Sequence, residues 1–176
     1  TGVKTLGVAG ATTLSGASTL TLDGGTFSTG SLVNNGGFAF NRGTFNLTSD
    51  NLTIGTGGLF GSSAQFASNQ TVNVTNTTTV NSGSVLALNN SAFSSGTTNN
   101  NGQIVLGGAI TNLGGGTLNN AGRISGIGQV SATLNNTASG EVRAALGNDM
   151  AFTGAGNTNS GRITLLGGSV DSMQGL

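Results

Sequence analysis

Two carboxylates one repeat apart are what a glycosidase uses, an acid and a base facing each other across a sugar. Asp149 and Asp171 stand 22 residues apart, so they are the candidate pair. As "GND" and "VDS" they read more simply as surface turn residues. The chain also has neither Trp nor Tyr to stack on a sugar ring. Its 176 residues include no His and no Cys, so a Ser-His or Cys-His nucleophile and a thiolate metal site cannot be built. Lys4 is the sole lysine, so the Gly-Lys-Ser/Thr phosphate loop is absent. Asp23-Gly24-Gly25 superficially resembles the calcium-binding solenoid phrase G-G-x-G-x-D but does not complete it. The expectation is a protein that is not an enzyme and has no cofactor and no metal.

The composition says what the chain is built for. Gly (33), Thr (26), Asn (22) and Ser (19) make up 100 of the residues, and only ten are charged, five of each sign. Such polarity suggests disorder, yet disordered chains are rich in Pro, Glu and Lys. This one has no Pro, one Glu and one Lys, and its aliphatic residues are regularly placed. Net charge zero gives no attraction to nucleic acid or an anionic bilayer. No apolar run approaches eighteen residues, so no membrane helix is expected. Scattered Phe without Trp or Tyr speaks against a membrane barrel.

The element that must position everything is a repeat. "NNNGQIVLGG", "NNAGRISGIG", "NTASGEVRAALG" and "NTNSGRITLLGG" place Asn just before a Gly, then a polar residue, then Ile or Val. Anchored on Gly16, Gly37, Gly58, Gly83, Gly102, Gly122, Gly140 and Gly161, the intervals are 21, 21, 25, 19, 20, 18 and 21 residues. A period near twenty is a solenoid signature. Two residues after the anchors stand Ser18 and then an apolar series: Ala39, Phe60, Val85, Ile104, Ile124, Val142 and Ile163. In the later coils the residue between is polar. Adjacent positions of opposite character mean strand alternation. The fold class is therefore all-β: a single-domain parallel β-solenoid (β-helix) of about 8 coils, roughly 18–25 residues each. The apolar series is its inward column.

Corners explain the remaining letters. Asn35, Gly37, Asn100, Gly102, Asn120, Gly122, Asn136, Gly140, Asn159 and Gly161 are the expected corner residues, tolerant of positive φ. The Asn residues can also stack amide on amide as a ladder. Arg123, Glu141 and Arg162 share one offset in three coils, so an outer charge ladder is expected. An ice-binding face would need Thr in register on every coil, and no glycine-anchored offset supplies it. The N-x-S/T sequons at Asn46, Asn51, Asn69, Asn73, Asn76, Asn89 and Asn135 arise by chance in such a composition.

With its "NxGxIxGxG" phrasing, its Gly/Asn/Thr/Ser richness and its lack of Cys, the chain resembles bacterial cell-surface β-solenoids from about Gly16 to Val170. Autotransporter passengers and filamentous-haemagglutinin-like adhesins are the nearest broad class. The resemblance implies a right-handed parallel β-helix, an extracellular or cell-surface place, and adhesion or scaffolding.

The ends complete the reading. Residues 1–15 are a β-capable segment, a first coil or an exchanged strand, and 16–176 are the solenoid body. The chain begins without Met, as a processed protein or an excised piece does. Neither end shows a charge cluster or an amphipathic helix, so the chain's expected partner is itself, by end-to-end stacking or strand exchange. Val3, Leu6, Val8, Leu165 and Val170 are the expected subunit joint. The expected function is a structural protein that self-assembles head to tail into an extracellular filament or surface layer. A fragment of an adhesin that binds host or glycan is the alternative. An ice-binding or polysaccharide-processing solenoid stands third. No nucleic-acid contact and no membrane insertion are expected.

Overall fold

The computed structural model describes Gly2 and residues 4–172. Among the described residues every regular element is a strand. The strands stack in parallel as a β-solenoid of about 8 turns with about 20 residues per turn.

Each turn contributes three strand segments, so the rod has three faces. Segments 5–8, 26–29, 44–47, 71–74, 92–95 and 112–113 lie over one another on the first face, continued by 128–130, 149–152 and 169–172. The second face carries 11–14 on 31–34, then 52–54, 78–80, 97–100, 117–120, 133–136 and 158–159. The third carries 19–22 on 37–40, then 63–66, 85–88, 103–106, 123–125 and the strands Glu141–Ala145 and Arg162–Leu166. The coil between 48 and 69 is the irregular one. It inserts turns at 55–62 before it rejoins the third face.

Period-two alternation builds these strands. Ala92–Asn100 alternates buried and half-buried positions along almost its whole length. Phe93, Ser95, Thr98 and Asn100 take its inward positions and Ala92, Ser94, Thr97 and Asn99 the outward ones, the alternation of a half-buried pleat. The inward positions then stack into columns. On the first face Phe27, Phe45, Val72, Phe93, Leu113, Val130 and Phe152 follow one another in register and are buried. Seven of the eight Phe gather between residues 27 and 93, with ring centroids 5.0 to 6.4 Å apart along the chain of contacts from Phe27 to Phe93. Such pairs contribute about 0.5–1.5 kcal/mol beyond area burial.

The expected inward column is found in part. Ile104, Ile124 and Val142 are buried in one register. Ile163 continues it, half-buried against the core in the last coil. Three of the expected members are corrected. Val85 pairs with the outward Gln103, and its neighbour Leu86, fully buried, takes the column beside Ile104. Gly83 is a turn glycine at φ 76° that stands one residue early, so the count from it slips by one. Ala39 lies between Phe38 and Phe40, and it is these two that pack on the core. Phe60 sits in the inserted turns, and Ala64 holds the strand position beside Leu86. Phe60 still reaches the core by its ring, 5.0 Å from Phe66.

Glycine serves the stack more than the turn. Gly102, Gly122, Gly140 and Gly161 do not have positive φ. A Cβ on Gly122 would run into the carbonyl oxygen of Gly102 one coil below, and one on Gly140 into that of Asn120. Coils about 4.8 Å apart leave no room for a side chain there.

Candidate functional site

The most ordered polar feature is a buried amide ladder on the second face. Asn100 Nδ2 donates to Asn120 Oδ1, Asn120 Nδ2 to Asn136 Oδ1, and Asn136 Nδ2 to Asn159 Oδ1, each at 2.7 Å. The first three side chains are buried and Asn159 is exposed. Each Nδ2 also reaches a third-face carbonyl: Arg123 O at 3.2 Å, Glu141 O at 3.3 Å and Arg162 O at 3.4 Å. The lower end is closed by Gly102 N–H, which donates to Asn100 Oδ1. The amides thus bind successive coils and seal the corner between two faces.

Two expectations about the corner Asn are corrected. Asn35 is exposed and outside the ladder; Asn34 holds the register, over Leu14. Nor do the ladder residues have positive φ, which among the described non-glycine residues belongs to Asn69 and Asn90. The ladder exists because a strand-end amide can reach both the rung above and its carbonyl. Gly37 is likewise a strand-start glycine without positive φ.

Outside the corner, the second face carries a pattern that glycine counting does not reveal. Thr77, Thr97, Thr117 and Thr133 are in register on four successive coils and point outward, half-exposed. Two residues along each strand stand Thr79, Asn99, Asn119 and Asn135. Asn119 Nδ2 donates to Asn99 Oδ1 at 2.9 Å and Asn135 Nδ2 to Asn119 Oδ1 at 3.2 Å. Thr158 Oγ1 donates to Asn135 Oδ1 at 3.1 Å. The signal is literal in the sequence: "TTNN" at 97, "TLNN" at 117 and "TLNN" at 133, with "TTTV" at 77. Offsets from the following glycine miss it because the corner after Asn136 is two residues longer.

The charged residues divide. Arg123, Glu141 and Arg162 do lie in one register on the third face. Only the upper pair is joined, with Arg162 Nη2 3.4 Å from Glu141 Oε1, and Thr164 Oγ1 donates to the same oxygen at 2.9 Å. Arg123 turns the other way and donates to Gln103 Oε1 at 2.6 Å. Exposed pairs of this kind contribute about 0–1 kcal/mol. Asp23 is held by Arg42 Nε at 3.0 Å. Asp149 pairs in register with Ser169, whose hydroxyl donates to it at 2.6 Å, and Asp171 with Ala151. The two carboxylates are thus diagonal neighbours on one outer face rather than directly opposed. Among the described residues no three His, Cys, Asp or Glu cluster in a way that could hold a metal ion.

At the ends, the strand Thr5–Leu14 lies on residues 26–34 of its own chain, as a first coil. Leu6 continues the Phe27 column but is 52% exposed. Val8 is half-buried against the core. At the far end Leu165 lies over Ala144 and is 56% exposed, while Val170 lies over Met150 and packs on the core. Val3 falls outside the described residues. No family model matches this chain, and neither a curated protein nor a solved structure matches it.

Proposed function

We propose that the chain is a non-enzymatic structural rod that stacks head to tail with copies of itself into an extracellular filament or surface layer. The observation that carries this reading is the state of the core columns at the two ends. Leu6 and Leu165 belong to columns whose members are buried in the middle of the rod, yet both are more than half exposed. Among the described residues each also lies on a parallel strand with one unpaired edge. Covering a leucine contributes about 1.5–3 kcal/mol, and unpaired edges are templates for further strands. A contact of this kind does not close on itself, so it propagates. The resemblance to bacterial surface solenoids supports a place outside the cell.

The columns do not all match across such a joint. The second face ends in Asn159 and begins with Leu14, so the amide ladder stops there. The third face is apolar at both ends, with Leu20 and Leu22 below and Ile163 and Leu165 above, and the first face adds Leu6 and Val8 below and Val170 above; these residues carry the contact. The test is electron cryo-microscopy of the 176-residue chain at micromolar concentration, beside Leu6→Asp and Leu165→Asp. Filaments with an axial repeat of about 4.8 Å, dispersed by either substitution, support the joint. Dispersed rods of the parent chain overturn self-assembly. Filaments that survive both substitutions overturn the joint.

A further inference from the structure

We propose that the outer side of the second face binds crystalline ice. This goes beyond the end-to-end reading, because it uses the flank of the rod and none of the joint residues.

The face is a two-dimensional array. Thr77, Thr97, Thr117 and Thr133 form one row, in register on consecutive coils. A second row of Thr and Asn runs beside it, two residues along each strand. Rungs repeat every ~4.8 Å, and the rows lie ~6.7 Å apart at two residues of strand rise. Both repeats are close to the oxygen spacings of the prism face of ice. Each threonine offers a hydroxyl and a methyl group, and its β-branched side chain is stiff at χ1.

The array is also held in place before any ligand arrives. The buried amides hold it from behind at 2.7 Å, and the Asn99–Asn119–Asn135 amides hold it within the face. A pre-ordered surface loses little side-chain freedom on binding. None of the ten charged residues lies in 77–80, 97–100, 117–120, 133–136 or 158–159.

The ligand that fits is uncharged, forms hydrogen bonds and repeats in two directions. A mineral surface would ask for charge. A crystalline polysaccharide would ask for aromatic platforms, and the chain has no Trp or Tyr. Water in its crystal meets all three demands, and many weak contacts in register then add together.

The experiment measures thermal hysteresis and ice recrystallisation with the purified 176-residue chain. It is repeated with Thr97→Lys and Thr117→Lys, singly and together, and with Asn46→Lys on the first face as a control. Circular dichroism melts show whether each variant is folded. The proposal expects faceted ice crystals and a hysteresis gap for the parent and the control. The double variant loses most of the gap at an unchanged melting temperature. A folded parent with no hysteresis and no effect on recrystallisation overturns the proposal. So does a gap that survives the double substitution. Binding to powdered cellulose or chitin without an effect on ice also overturns it, and assigns the face to a glycan.

Discussion

Asn120 shows how one position can be solved in two ways. The same second-face register holds Ile54 and Val80 in earlier coils and Asn100, Asn120, Asn136 and Asn159 in later ones. In the apolar coils the corner is filled by hydrocarbon. In the later ones Asn120 and Asn136 are each paired with an amide above and an amide below. Replacing one member is therefore expected to cost more per residue than replacing all. Asn120→Val leaves Asn100 without its acceptor and Asn136 Oδ1 without its donor, both in buried surroundings. Each orphan costs about 1–3 kcal/mol, so the single change is expected to cost about 2–6 kcal/mol in a urea titration. Asn100→Val, Asn120→Val and Asn136→Val together are expected to cost well under three times that amount, because the orphans vanish with their partners. Additive losses would show that the amides act singly rather than as a ladder.

The strands are legible in the sequence wherever the corner before them has constant length. Gly102, Gly122 and Gly140 stand two residues before Ile104, Ile124 and Val142, all buried in one column. Counting fails where the corner differs, at Gly37, Gly58 and Gly83, and the error is one of register. A one-residue slip exchanges the inner and outer faces of a strand. The correction can be tested within Val85–Leu88. Leu86→Asp is expected to abolish the cooperative transition, since it buries an unpaired carboxylate among apolar neighbours. Val85→Asp, on the outward side, is expected to stay within about 1 kcal/mol of the parent. The reverse ranking in thermal melts would restore Val85 to the core. The amide ladder was legible too, because Asn precedes the anchor glycine in phrase after phrase. The threonine array was not. Its rows belong to a different face from the anchors, and the variable corner between the two faces blurs any offset counted across it. The phrase T-x-N-N, read within one strand, needs no count across a corner.

Over the whole molecule, each coil touches only its neighbours, so stability is a sum over rungs and interfaces rather than the property of one central core. A middle coil is held on both sides, and an end coil on one. Opening should then begin at the ends and move inward. Thr5–Leu14 is mostly exposed, with Leu14 its one buried residue. Arg162–Leu166 contains no buried residue. Between them, residues 71–145 hold the buried rungs of the amide ladder, Asn100, Asn120 and Asn136, beside fully buried Val72, Leu86, Ile104, Leu118 and Leu134. Hydrogen exchange at concentrations too low for association is expected to be fastest in 5–14 and 158–172 and slowest in the second- and third-face strands of 71–145. Uniform protection along the rod would mean that it opens as one unit. The same measurement at high concentration bears on the proposed joint. Amides of Thr5–Leu14 and Arg162–Leu166 should slow together if copies stack there, because each edge gains the strand it lacks. The middle coils, already paired on both sides, should not change.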